Sequence, residues 1–234
     1  SVYVRNHSES GDFKGVMKDL DRIKLLGVDY IWFMPIHPIG EVNKKGELGC
    51  PYSISDYRAV NPEYGTMEDF KELVSAIHEK GMKCMIDVVY NHTSHESVLS
   101  KEHPEFFYKK PDGRFGNKVG DWTDVIDLDY TNKDLWDYQL ETLKMWAKIV
   151  DGFRCDVASL VPIEFWNRAR KEVAEVNPDC LWLAESVEYG LIKYARDTGF
   201  NCLSDSELYQ AFDILYDYDV YPKYLAYVDG EIPL

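Results

Sequence analysis

The chain alternates short apolar runs with longer stretches in which apolar residues recur every three or four positions. Phe13, Val16, Met17, Leu20, Ile23 and Leu26 keep that spacing. It marks one buried helix face and predicts a helix closed by Gly27. Residues 2–5 predict a short strand before it, and residues 30–34 predict another after it, stopped by Pro35. The unit then repeats. Thr66 is placed to cap a helix whose inner face is Phe70, Leu73, Val74 and Ile77, and Gly81 ends it. Residues 82–89 are almost continuously apolar, as in a strand covered on both faces. Beyond them the pattern predicts a helix over 136–150, a strand over 152–157, a helix over 164–176 and a strand over 181–184. A weaker unit at 202–205 precedes a Tyr-rich helical stretch.

Repeated strand–helix alternation implies parallel strands joined by right-handed crossovers. A doubly wound sheet and a closed barrel both satisfy it, and the position of the polar residues discriminates. The ends of several different strands carry carboxylates, Arg, His and Asn, which is where a barrel builds its active face. No G-x-G-x-x-G follows the first strand, against a dinucleotide-binding sheet. The expected fold is therefore α/β, a TIM-type (β/α)8 barrel. Residues 37–65 and 93–132 lack strong periodicity, and 93–132 reads as a small subdomain inserted after the third strand. Only about six units are recognisable, against the eight of a closed barrel. Residues 1–234 thus read as a partial barrel. Alone, such a chain is expected to be inactive, and either unstable or associated with a second copy through its open edge.

Composition narrows the partners. The formal net charge of −15 argues against nucleic acid and anionic membranes, while leaving a neutral substrate open. Aromatic residues make up 14% of the chain, enough for both a core and flat apolar contacts with a ligand. The five cysteines (Cys50, Cys84, Cys155, Cys180, Cys202) form no short metal-binding pair. Their odd number and dispersed spacing suit a reducing compartment, so a cytoplasmic location is expected. No apolar run reaches membrane-spanning length.

Three strand ends carry the candidate chemistry. In Gly152-Phe153-Arg154-Cys155-Asp156-Val157, alternation points Arg154 and Asp156 to one side and Phe153 and Cys155 to the other. A carboxylate beside a fixed guanidinium stays ionised, as a nucleophile toward a sugar carbon must; a structural Arg–Asp pair is the competing explanation. In Leu181-Trp182-Leu183-Ala184-Glu185-Ser186 an apolar strand ends in Glu. Partial desolvation there would raise its pKa and suit a general acid, whereas a solvated strand-end Glu would do nothing. In Asp87-Val88-Val89-Tyr90-Asn91-His92, Asp87, Val89 and Asn91 share a face, with His92 just beyond. His and Asn both suit hydroxyl recognition. Each cluster alone is weak; three on consecutive units are far more specific.

These three stretches, in this order, resemble the first three signature regions of the α-amylase superfamily, glycoside hydrolase family 13. Trp32-Phe33-Met34-Pro35-Ile36, Pro51–Tyr57 and Glu63–Met67 add to a similarity running over nearly the whole chain. The resemblance implies Asp156 as nucleophile, Glu185 as general acid/base, Arg154 as the residue orienting Asp156, and Asp87 as its partner. It implies that His92 binds the sugar in the reacting subsite, that Tyr52 stacks beneath it, and that Asn91 supports the site or, in some members, binds calcium. Two departures stand out. Ala158, Ser159 and Leu160 occupy the stretch where many members carry Lys-His, and no Asp-rich calcium loop replaces it. Hence no metal ligands are assigned, no cofactor is expected, and calcium is not supported. All six His lie before residue 104, so the His-Asp pair of the fourth region is missing. The implied activity is retaining hydrolysis of α-glucosidic bonds, chiefly α-1,4, in starch-like oligosaccharides. Transglycosylation and a non-catalytic carbohydrate-binding module are the alternatives. Phe106, Phe107, Tyr108, Phe115 and Trp122 in the insert read either as sugar platforms or as its own small core.

Overall fold

The computed structural model describes residues 1–118, 122–218 and 220–233. Five strands form one parallel sheet in the order β1 (Tyr30–Phe33), β2 (Lys83–Val88), β5 (Gly152–Cys155), β6 (Leu181–Ala184) and β7 (Ile214–Leu215). Two more, β3 (His92–Ser94) and β4 (Val125–Asp127), pair antiparallel outside it. Helices Met67–Glu79, Lys133–Ala147 and Ile163–Ala174 cross between the sheet strands. The large sheet is open at β1 and β7, as in part of an α/β barrel.

Local chemistry sets the element ends. Thr66 accepts from the Asp69 backbone while Asp69 reaches back to the Thr66 backbone, closing a capping box at the start of helix Met67–Glu79. Phe70, Leu73, Val74 and Ile77 form its buried face. β2 is buried along all but its first residue, because helices cover one side and the barrel interior the other. Trp166 and Trp182 meet edge to face at 6.4 Å, and Phe153 packs on Trp182 at 5.3 Å, knitting β5, β6 and helix Ile163–Ala174 together. Gly152 sits where only hydrogen fits. A Cβ there would meet the Leu181 carbonyl oxygen at 2.8 Å.

Three expectations about elements are corrected. Residues 2–5 do not make a strand. Val2 alone bridges Phe33, and Val4–His7 turns into a short helix; four residues are too few to separate a period of 2 from one of 3.6. The 13–26 stretch breaks into helices Phe13–Lys18 and Leu20–Leu25 at Asp19, whose carboxylate accepts from Arg22 and contacts His7. Leu26 is 66% exposed, so the apolar face ends at Ile23. Residues 202–205 are also not a strand. The Ser204 hydroxyl and Glu207 form a capping box that starts helix Asp205–Leu208, and the next sheet strand is β7.

The insert is organised around β3 and β4, whose register pairs His92 with Asp127. Phe106 and Phe107 are buried there, and Phe107 packs on Phe115 at 5.6 Å, so these three join the core that continues under the sheet. Among the described residues no helix is long and apolar enough to cross a membrane.

Candidate active site

The sheet register decides which side chains meet. Asp87 on β2 lies opposite Arg154 on β5, and Arg154 lies opposite Leu183 on β6. Asp156 and Glu185 each sit two residues beyond that row, so alternation returns them to the same face. All four converge at the carboxyl ends of adjacent strands.

One guanidinium holds the group together. Arg154 Nη1 donates to Asp87 Oδ1 at 2.9 Å and Oδ2 at 3.1 Å, and to Asp156 Oδ1 at 2.8 Å. Its Nη2 lies 2.8 Å from Glu185 Oε2. Asp87 Oδ2 also accepts from Tyr52 Oη at 3.2 Å and Trp32 Nε1 at 3.3 Å. The rings of Trp32, Tyr216 and Tyr52 stand 5.1, 5.4 and 5.8 Å from the guanidinium carbon. These faces favour a cation.

Three carboxyls around one guanidinium would leave two surplus negative charges in a buried site. Burial accordingly raises the pKa of Asp87, Asp156 and Glu185, and Arg154 opposes the rise in each. The contact between Glu185 and Asp156 works in opposite directions on the two, lowering Asp156 and raising Glu185. Of the carboxyls lining the cleft, Glu185 is raised by burial and by the neighbouring Asp156 charge, which suits a proton donor. Burial would lower Arg154, but the carboxylates outweigh it and push it up, so it stays charged.

Glu185 is held by a strained neighbour. Val157 adopts φ 37°, a left-handed conformation costly for a β-branched residue. In that conformation its N–H donates to Glu185 Oε2 at 2.9 Å.

A cleft of about 300 Å³ opens over Asp156 and Glu185, walled by Tyr52, His92, Trp122, Asp124 and Cys50. Burial lowers the His92 pKa, so the imidazole is neutral and both donates and accepts. Trp122 tilts against it at 5.5 Å.

The structure thus brings Asp156, Glu185, His92 and Tyr52 into one cleft, with Arg154 beneath. Asp87 is fully buried behind Arg154 and does not line the cleft. Asn91 lies behind His92, facing a second cavity of about 390 Å³. Among the insert's aromatics Trp122 reaches the cleft, while Tyr108 lines the second cavity with Phe200. Sequence reasoning missed Trp32 as a donor to Asp87, though alternation against buried Ile31 and Phe33 could have found it. It also missed Tyr216, which follows a strand it had placed elsewhere.

Known proteins share this arrangement of sequence. The family description "Alpha amylase, catalytic domain" matches residues 3–189. Alpha-amylase 3 of Dictyoglomus thermophilum is 31% identical over 231 residues, covering 83% of this chain and 44% of that protein. An alpha-1,4-glucan:maltose-1-phosphate maltosyltransferase of Arcanobacterium haemolyticum is 32% identical over 212 residues, covering 80% of this chain and 30% of that protein. The crystal structure of an alpha-amylase from Lactobacillus plantarum superposes with a TM-score of 0.96 at 59% identity, covering 99% of this chain and 55% of that one. The chain therefore spans less than half the length of these curated relatives. With its matched region, its partial (β/α)8 sheet and its strand-end carboxylates, the chain belongs to the α-amylase family and carries part of that family's catalytic domain.

Proposed function

We propose that the protein containing this chain is a retaining glycoside hydrolase acting on α-glucosidic bonds of starch-like oligosaccharides, chiefly α-1,4. The observation that carries this reading is the Arg154 fork, which gathers Asp156 and Glu185 at the floor of one cleft while Glu185 is biased toward its protonated form. Asp156 attacks the anomeric carbon and forms a glycosyl ester as the glycosidic bond breaks. Glu185 gives its proton to the departing oxygen, and its carboxylate then takes a proton from water, which attacks the ester and restores Asp156. Arg154 keeps Asp156 ionised, and Asp87 fixes Arg154. His92 hydrogen-bonds sugar hydroxyls, and the Tyr52 ring receives the sugar's apolar face. These steps use only protein groups, water and a neutral oligosaccharide.

Asp156→Asn and Glu185→Gln are each expected to lower turnover of maltooligosaccharides by several orders of magnitude, with folding preserved by circular dichroism. Near-normal turnover in either variant would remove that residue from its role. The maltosyltransferase relative supports a second reading, in which a sugar hydroxyl replaces water in the second step. Products longer than the maltooligosaccharide supplied would establish transfer.

A further inference from the structure

Behind His92 lies a junction where the insert meets the end of β2, and its chemistry differs from that of a metal site. Some family members are expected to bind calcium at the position of Asn91. Calcium requires roughly six to eight converging oxygen ligands. Here both oxygens of buried Asp127 already accept N–H groups. Oδ2 takes the Lys118 backbone N–H at 2.6 Å, and Oδ1 takes Asn117 Nδ2 at 3.1 Å and Asn91 Nδ2 at 3.5 Å. Asn91 thus turns a donor, not its oxygen, toward the carboxylate. Its Oδ1 is buried without a hydrogen-bond partner. Among the described residues no three His, Cys, Asp or Glu side chains converge as a metal site. The donor set does not fit calcium.

A protein cation is present at the junction instead. Half-buried Lys118, which lines the second cavity, donates its ammonium N–H to the Leu128 carbonyl at 2.7 Å. Leu128 in turn donates its backbone N–H to the Asn91 carbonyl at 2.9 Å. Burial lowers the Lys118 pKa, and the charges of Asp127 and Asp129 oppose that fall. Lys118 therefore ties three segments together: its own loop, the end of β4, and the Asn91–His92 corner. Asn91 Nδ2 lies 3.1 Å from His92 Nδ1, and His92 pairs with Asp127 across the insert's strands. Whatever fixes this junction fixes the imidazole in the cleft.

We propose that Lys118 is a positioning residue whose ammonium serves as the built-in cation of this junction, locking the insert to β2 and holding His92 in the cleft without a divalent ion. The ammonium supplies three N–H donors and one charge that Asp127 and Asp129 favour at longer range, and it cannot be removed by chelation. Its place in catalysis is indirect, through the orientation of His92. That half of the argument rests on the proposed sugar-binding role of the cleft, whereas the metal half does not.

The test compares the wild-type protein with Lys118→Met and Lys118→Arg, in EDTA and in excess calcium chloride. The wild-type thermal midpoint is expected to be the same in both solutions. Lys118→Met should have a lower midpoint and should raise KM for maltooligosaccharides about tenfold with a smaller change in kcat, the scale of losing one charged hydrogen bond behind a binding group. Lys118→Arg should recover part of both losses. A wild-type midpoint that rises with calcium would overturn the proposal, whatever the activity. So would a folded Lys118→Met protein with unchanged KM and midpoint. If Lys118→Met does not fold, the calcium comparison on wild type and the KM of Lys118→Arg still decide. If the glycosidase reading itself fails, no variant will show turnover, but the midpoint comparison still stands.

Discussion

Replacing Arg154 tests the centre of the site most directly. Arg154 is 3% exposed, and its two terminal nitrogens lie 2.8–2.9 Å from Asp87, Asp156 and Glu185. At a charge separation of about 4 Å and an effective dielectric near 20, each such pair is worth roughly 4 kcal/mol before desolvation. Desolvation takes back most of that gain while both partners are present. Once the cation is gone, the carboxyls must stay buried unpaired or take up protons. Arg154→Met is therefore expected to destabilise the fold by about 3–5 kcal/mol, the usual loss when one partner of a buried ion pair is removed. It should also abolish turnover, because Asp156 would no longer be held ionised. Arg154→Lys separates charge from geometry. One ammonium keeps the charge but cannot bridge Asp87, Asp156 and Glu185 as a fork does. Stability should fall by less than in the Met variant, while kcat should still fall about a hundredfold or more from misplacement alone. Urea unfolding followed by tryptophan fluorescence gives the first quantity, and initial rates on a chromogenic maltooligosaccharide give the second. A Met variant with unchanged urea midpoint, or a Lys variant with near-normal kcat, would refute this account of the guanidinium.

Two further outcomes test the scaffold. Buried His37, whose Nδ1 lies 2.8 Å from the Ala59 carbonyl, has its pKa pushed by burial from 6.5 to about 4. Because the folded value lies below the unfolded one, its contribution is intact above pH 6.5 and is lost as pH falls toward 4. That loss amounts to about 3 kcal/mol. His37→Gln should flatten the stability profile over this window in urea titrations, and an unchanged slope would exclude His37 as its source. Gly152→Ala places a Cβ 2.8 Å from the Leu181 carbonyl oxygen and 2.9 Å from Met85 Cε, between strands that cannot separate. A loss of about 1–3 kcal/mol is expected from overpacking, and an unaltered urea midpoint would show that β5 yields more easily than its packing implies.

Strong repetition made much of this legible in the sequence. The helix carrying Phe70, Leu73, Val74 and Ile77, the buried run of β2 and the apolar run of β6 each announce themselves within their own residues. Strand alternation then placed Arg154 and Asp156 on one face, where Arg154 Nη1 donates to Asp156 Oδ1. What stayed hidden depends on neighbours. β7 has two residues, and its pairing with Leu183 and Ala184 defines it more than its own pattern does. The helix breaks at Asp19, whose φ of −100° and ψ of 1° leave the helical range. Lys118 looks like any surface lysine until the fold turns its ammonium onto the Leu128 carbonyl. Val157 gives no local sign of its left-handed backbone, which follows from the hydrogen bond to Glu185.

The pairing of His92 with Asp127 also bears on how such an enzyme diversifies. The first rung of the insert's strand pair is shared between the ladder and the cleft wall, so changes in the segment between its two ends that spare Asn117 and Lys118 leave that rung in place. Residues such as Trp122 and Asp124, one to three positions from β4, face the cleft from the insert. Heritable change in the loop can therefore reshape the entrance to the site while the imidazole keeps its place. A deletion that removes either end of the rung costs the ladder and the wall together. Tolerance to mutation and access to new substrates are thus concentrated in the same stretch of chain, and both stop at the rung and at the groups that hold it.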